Sequence, residues 1–488
     1  MRKKFLAILL ALSIATVGVS TFTGCDLLED FGNGILGEQT DNGNSDNSDN
    51  SDNSKPGDSS DGNGGQNNKP DDSSNKPDTS KPGDADNESD DNKDPSGDNN
   101  DPSGDNKDPS GGNGDNNDPD KPSGGDGDSK GDDKNDEDKK DDDEPVGPPP
   151  EGLGEGDVAE IKSADLSIHF INYKVYNAGD CTLIKVGDTE VLIDAGAKAA
   201  SAGPIKQYID KYCTDGKIEY VIATHAHEDH IAGFVGNSTY KGILYSYDIG
   251  TIIMYSRKKT TSAISANFQT AVDEAVKKGA TAYTALQCWE ETDGASKKYY
   301  LDAEQTISLN ILYNYYYDHS TSDENNYSVC TLLTQELGDG YEYNYLFTGD
   351  LEQEGEEYLV QYNTLPEVEL FKAGHHGSKT SSNDCLLSVI KPKHVAICCC
   401  AGSDEYTKDN DNMFPTQAFI DRISKYTDSV YCLNVIINNS GHSYEPMNGD
   451  IVFYTTKRQL KLWCSNNTTK LKDTAWFAAN RHGWGVNE

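Results

Sequence analysis

Positive charge is in short supply in this chain. Its 488 residues hold 42 Lys and Arg against 83 Asp and Glu, a formal net charge of −41. That balance excludes a protein that grips nucleic acid through an overall basic face. No two cysteines stand at C-x-x-C spacing, which removes a zinc site built from paired thiolates. Apolar side chains nearly vanish between about residues 37 and 154. Such a stretch cannot bury enough surface to offset the entropy of ordering it. Beyond the first 25 residues no segment is long and apolar enough to span a bilayer. Histidine is scarce too, at ten residues.

What remains divides the chain in three. Residues 26–156 are rich in Asp, Asn, Ser, Gly and Pro, almost entirely so with Lys from about residue 37, and Asp-Pro-Ser-Gly recurs from Asp94, Asp101 and Asp108. The period is polar throughout, so it predicts a solvated, self-repelling tether and not a coiled coil. Most of the net charge sits there: residues 157–488, the expected folded domain, carry only −16. Residues 1–25 open with Arg2-Lys3-Lys4, continue apolar over 5–19 and close on Phe22-Thr23-Gly24-Cys25. This resembles a bacterial lipoprotein signal, which implies a lipid anchor at Cys25 and an extracytoplasmic domain on a leash. Several of the ten further cysteines are expected as buried free thiols, with Cys398-Cys399-Cys400 inside an apolar strand, and the redox state of the ten stays open.

In the domain, period-two and short apolar runs predict strands over 166–171, 181–186, 190–193, 220–223 and 252–255. Later strands are expected over 307–316, 328–334, 343–347, 367–372, 394–399, 430–437 and 450–455. Helical spacing covers 203–212, 263–278, 385–390 and 414–426. Strands in clusters with helices between them point to a layered α/β sandwich, not a doubly wound sheet. Alternating tyrosines in "YNYYYD", residues 313–318, read as half-buried strand packing, although their faces suit bases or sugars.

Histidines gather where strands end. "THAHEDH", residues 224–230, packs His225, His227, Asp229 and His230 into six positions. After a strand, such side chains can converge, His225 with His227 on one ion and Asp229 with His230 on a second. Imidazole and carboxylate suit Zn²⁺ first, with Mn²⁺ or Fe as alternatives. Such ions polarise a substrate oxygen and bring the pKa of bound water toward neutrality.

These residues resemble the T-H-x-H-x-D-H signature of the metallo-β-lactamase-fold hydrolases, which implies a four-layer αββα sandwich. "VLIDAG" (191–196) and "LFTGD" (346–350) are similar to further motifs of that family. "NAGD" (177–180) and "FKAGHHGSKTSS" (371–382) resemble the C-terminal metallo-hydrolase domain of the competence protein ComEC. The resemblance implies two divalent ions and attack by a metal-bound hydroxide. Its ligands would be His225 and His227 on metal one, with Asp229, His230 and one of His375 and His376 on metal two. Asp350 would bridge them, and Asp194 would support the loop. Which histidine of the pair coordinates stays open; the other would meet substrate or donate a proton. The expected catalytic set is therefore Asp229, Asp350, His376 and Lys379, the last with Ser378 as an oxyanion contact. A third metal-one histidine, common in the family, is missing; Asn325, Asn326 and Ser328 match the subgroup there. His319 and His442 rank low, and His169, His394 and His482 read as packing or surface.

The substrate implied is a phosphodiester on a small molecule or polymer, with nucleic acid among the candidates. A lactone, thioester or β-lactam is the competing enzyme reading, since fold does not choose substrate. A surface protein using the fold only to bind is the competing class, and it would be expected to have lost ligands.

Overall fold

The computed structural model describes residues 147–485. The signal, Cys25 and nearly all of the expected tether lie outside them.

Two mixed sheets face each other, one of nine strands and one of eight. In the first, Thr182–Val186 and Thr189–Ile193 form a hairpin. Its turn, Gly187-Asp188, opens on a glycine at φ 54°, as tight hairpins require. Lys217–Ala223, Asp248–Met254 and Thr281–Thr284 then add in parallel. On the other flank Leu166–Phe170 pairs with Ile451–Thr456, so both ends of the domain share one sheet. The second sheet starts antiparallel with Ile307–Ile311, Thr331–Glu336 and Glu342–Phe347. It continues in parallel through Leu370–Lys372, His394–Ala401 and Val430–Asn438. Parallel strands are covered on both faces, which is why "VIA" and "AICCC" read as unbroken apolar runs.

Phe170 meets Phe347 across the sheets with ring centroids 6.5 Å apart, and Phe453 meets Tyr431 at 6.0 Å. Each buried ring contributes about 1.5–3 kcal/mol. Helix Ala263–Lys277 covers the outside of the first sheet, packing Phe268 on Phe234 at 5.8 Å. Leu359, Leu387 and Phe419, from three more helices, bury against the outside of the second. The result is the four-layer αββα sandwich. All ten cysteines among the described residues are free, and Cys398, Cys399 and Cys400 lie buried in one strand.

Two segments differ from their reading in sequence. Ordered chain extends back before Asp157: Gly154–Glu155 pairs in parallel with Gln459–Cys464. Composition could not show this, because the pairing uses backbone groups; a side chain at Gly156 would collide with the Leu462 backbone. The strand expected over 307–316 stops at Ile311. Asn314 turns the chain there, accepting from the Tyr316 N–H and donating to the carbonyls of Asn326 and Ser328. Tyr315–Tyr317 is one 3₁₀ turn, with Tyr315 stacked on His319 and on Tyr358 at 3.7 and 4.2 Å.

Helix Glu228–Val235 lies so close to the strand-end loop at Ala195 that a methyl group at Gly233 would collide with the Ala195 carbonyl. Gly233→Ala is expected to cost roughly 1–3 kcal/mol by overpacking. Denaturant titration checks this; an unchanged midpoint would contradict the close packing.

Candidate metal centre

Four strands, two from each sheet, point their C-terminal ends at one rim. Asp194 follows Thr189–Ile193, the histidine cluster follows Lys217–Ala223, Asp350 follows Glu342–Phe347, and His375 and His376 follow Leu370–Lys372. The cluster is not a plain loop. His227 caps helix Glu228–Val235, so Asp229 and His230 occupy its first turn, where the helix dipole favours a carboxylate.

Asp229, His230, Asp350 and His376 bring ligand atoms within 4.8 Å of one another. Asp350 Oδ2 is the hub, 3.0 Å from His230 Nε2 and 3.4 Å from His376 Nε2. His376 Nε2 is also 3.3 Å from Asp229 Oδ2. The outer nitrogens are held from behind: His230 Nδ1 by Asp194 at 2.8 Å, His376 Nδ1 by Asp180 at 3.1 Å and the Cys398 carbonyl at 3.1 Å. Carboxylates behind imidazoles orient them and leave Nε2 for a metal. His225 and His227 face each other, Nε2 to Nδ1, at 3.0 Å, with His225 Nε2 3.9 Å from Asp350.

The donors fit a divalent cation. His376 Nε2 and Asp350 Oδ1 are buried with no hydrogen-bond partner. Burial opposes charge on His230, but Asp350, Asp194 and Asp229 outweigh it and hold the imidazole well above its usual range. His376 is raised in the same way against its burial, by Asp350 and Asp180. The carboxylates thus demand positive charge at the point where a metal would supply it. Burial would raise Asp350, yet His230, His376 and His375 hold it well below the carboxylate range.

The backbone separates the two adjacent histidines. Both sit in left-handed conformation, φ 48° at His375 and 57° at His376. His376 goes into the cluster, fully buried. His375 stays part-exposed, its Nδ1 facing Glu352 at 3.5 Å and its Nε2 3.8 Å from Asp350. It is outside the four-residue cluster, at the edge shared with His225.

Lys379 is not among the clustered ligand residues. It is exposed, and its carbonyl accepts from Arg422. Ser378 Oγ pairs with Thr380. The buried lysine is instead Lys372, ion-paired with Asp180 and 3.9 Å from Asp350 Oδ1. The sequence reading missed Lys372 because it ends an apolar strand; Asp180 was visible only as a turn residue. Asn325, Asn326 and Ser328 prove to be loop anchors: Ser328 Oγ accepts from Asp350 N, Asn326 Oδ1 accepts from Glu352 N, and Asn325 donates to Glu352. His319 lies outside the cluster, bonded to Asp318 and the Tyr315 carbonyl.

The loop over 374–383 is clamped by Glu356 and Arg422. Glu356 accepts from Ser382 N, Asn383 N and Asn383 Nδ2 at 2.6–2.8 Å. Arg422 donates to the carbonyls of Lys379, Ser381 and Ser382. Burial pushes the Glu356 carboxyl up to about 7, against the pull of Asn383 and Ser382. The folded protein therefore holds a proton there that the unfolded chain releases near its ordinary 4.5. That contribution is complete below the unfolded pKa and is lost as pH rises through the folded one, up to about 3 kcal/mol. Stability measured from pH 4.5 to 7.5 should carry this downward component, and Glu356→Gln should remove it. Identical slopes in the two proteins would contradict it.

Residues 176–236 match the family model described as the Metallo-beta-lactamase superfamily. Recombination protein 2 of Haemophilus influenzae is 33% identical over 85 residues, 17% of this chain. The chain spans only 10% of that protein's length. The metallo-beta-lactamase fold protein YhfI from Bacillus subtilis aligns over 56% of this chain and 96% of its own, at 11% identity and a TM-score of 0.32. Human tRNase Z, short form, aligns over the same shares at 12% identity and a TM-score of 0.27. With the matched segment spanning the histidine cluster, fold and site define a metal-dependent hydrolase domain of the metallo-β-lactamase type.

Proposed function

We propose that this protein is an extracytoplasmic, lipid-anchored hydrolase of phosphodiesters that works with two divalent ions, zinc first among them. Asp229, His230, Asp350 and His376 would hold one ion, and His225 and His227, with Asp350 between, the other. Bound divalent ions supply Lewis acidity and an activated water. The chain's own part is to fix the imidazoles through Asp194 and Asp180.

The observation that carries the reading is the completeness of the four-residue cluster. A protein that used the fold only for binding would have no need to keep two carboxylates and two imidazoles packed against one another, three of the four buried. For the phosphodiester, the support is the His-His-Gly-Ser stretch of the ComEC-like motif and the partial likeness to a protein named for recombination. The acidic balance of the domain favours a small diester over a long polyanion. The outer location rests on residues 1–25.

A substrate panel tests the chemistry. Zinc-loaded protein is expected to cleave bis(p-nitrophenyl) phosphate at least tenfold faster, in kcat/KM over background, than it opens a lactone or cleaves a thioester. The reverse order would move the assignment to carboxylic substrates. Labelling with radioactive palmitate in a bacterial host tests the anchor: Cys25→Ala should lose the label, and an unlabelled wild type would refute it.

A further inference from the structure

The loop from Gly402 to Thr416, whose last three residues the sequence places in a helix that in fact begins at Gln417, forms one wall of the metal centre. Glu405 ties it down, accepting from Asn177 Nδ2 and, at 2.9 Å, from Ala178 N, in the turn that leads to Asp180. The next residue, Tyr406, turns its hydroxyl inward and donates to Asp229 Oδ2 at 3.2 Å. The residue as a whole remains 57% exposed. Phe414 closes the wall, 5.4 Å from the Tyr406 ring and 5.9 and 6.0 Å from His375 and His376. A phenol whose hydroxyl reaches a candidate metal ligand while its face meets solvent is placed for substrate. Interior packing does not require it, because the residue is largely open.

We propose that Tyr406 is a substrate-contacting hydrogen-bond donor of this centre, and that Tyr406 and Phe414 together select esters bearing a flat, uncharged ring beside the anionic group. The proposal rests on the hydrolase reading and narrows its substrate. An aromatic wall stacks rings of any kind. The same loop carries Asp404, Glu405, Asp409 and Asp411 against a single lysine, Lys408. Further phosphates close to the scissile group would meet repulsion there. The substrate is therefore a compact diester with one ring at the wall, and not a polynucleotide lying along it. When Asp229 turns its oxygen to a cation, the Tyr406 hydroxyl is free to donate to a phosphoryl or carbonyl oxygen of the substrate.

The test uses zinc-loaded full-length protein and two probes that share one anionic group, phenylphosphonate and methylphosphonate, with binding read by calorimetry. Turnover of bis(p-nitrophenyl) phosphate and zinc content are read in the same samples. Wild type should prefer the phenyl probe roughly three- to tenfold. Tyr406→Ala and Phe414→Ala should bring that ratio near one, with zinc content unchanged. Tyr406→Phe should keep the ratio but lose about tenfold or more in turnover through the missing donor. A phenyl preference untouched in both alanine variants, or Tyr406→Phe within twofold of wild type, overturns the assignment while the hydrolase stands. Wild type that holds zinc but neither turns over the diester nor binds either probe overturns both.

Discussion

Changing Asp350 to alanine is expected to lower turnover at least about a thousandfold, equivalent to roughly 4 kcal/mol of barrier. One oxygen of this carboxylate lies within 3.9 Å of nitrogens on His225, His230, His375 and His376. Its other oxygen lies 3.9 Å from Lys372 Nζ. Every candidate ligand histidine except His227 converges on it. Losing it should therefore damage both of the proposed metal positions at once, and excess zinc should not restore activity. Asp229 stands at the margin, 18% exposed at its side chain, and touches the cluster through one oxygen. Asp229→Ala should recover part of its activity as zinc is raised. Initial rates over a zinc series for both variants decide this. Equal rescue of the two would remove Asp350 from the bridging position.

The second large effect concerns stability. Lys372 and Asp180 form a fully buried ion pair between the sheets. Burial works against the Lys372 ammonium, but Asp180 and Asp350 hold its pKa above the usual lysine value. Burial likewise opposes the Asp180 carboxylate, which Lys372 and His376 hold low. Removing one partner of such a pair strands a charge and costs about 3–5 kcal/mol. Lys372→Met should destabilise the metal-stripped protein by that amount, a large part of the roughly 5–15 kcal/mol that keeps a domain folded. Adding Asp180→Asn should return at least half of the loss, because the stranded charge goes with it. Denaturant midpoints in chelator measure both. A loss under about 1 kcal/mol in Lys372→Met would mean that His376, 3.1 Å from Asp180, and not the lysine, compensates the carboxylate.

Much of this centre could be read from residue order alone. Period two marked Leu166–Phe170, and short apolar runs marked the parallel strands, because those segments are buried on both faces. His225, His227, Asp229, His230 and Asp350 stood out since scarce histidines and acids directly after apolar strands have few structural uses. What escaped was set by tertiary contact. Gly154–Glu155 joins the sheet through backbone groups that no composition reveals. The tyrosine run turns because of hydrogen bonds made by Asn314. Lys379 stood out beside His-His-Gly-Ser and lies exposed, while Lys372, hidden in an apolar strand, is the lysine buried beside Asp180 and Asp350. Tyr406 belongs to a loop whose position depends on a contact between Glu405 and residues 177–178, more than two hundred positions away.

The most direct measurement is metal content by mass spectrometry on purified protein offered Zn²⁺ and Mn²⁺, for wild type, His376→Ala and His375→Ala. Wild type is expected to retain at least one divalent ion per chain. His376→Ala should lose the ion held with Asp229, His230 and Asp350, and His375→Ala should keep it. A metal-free wild type, or loss in His375→Ala with retention in His376→Ala, would contradict the centre described above.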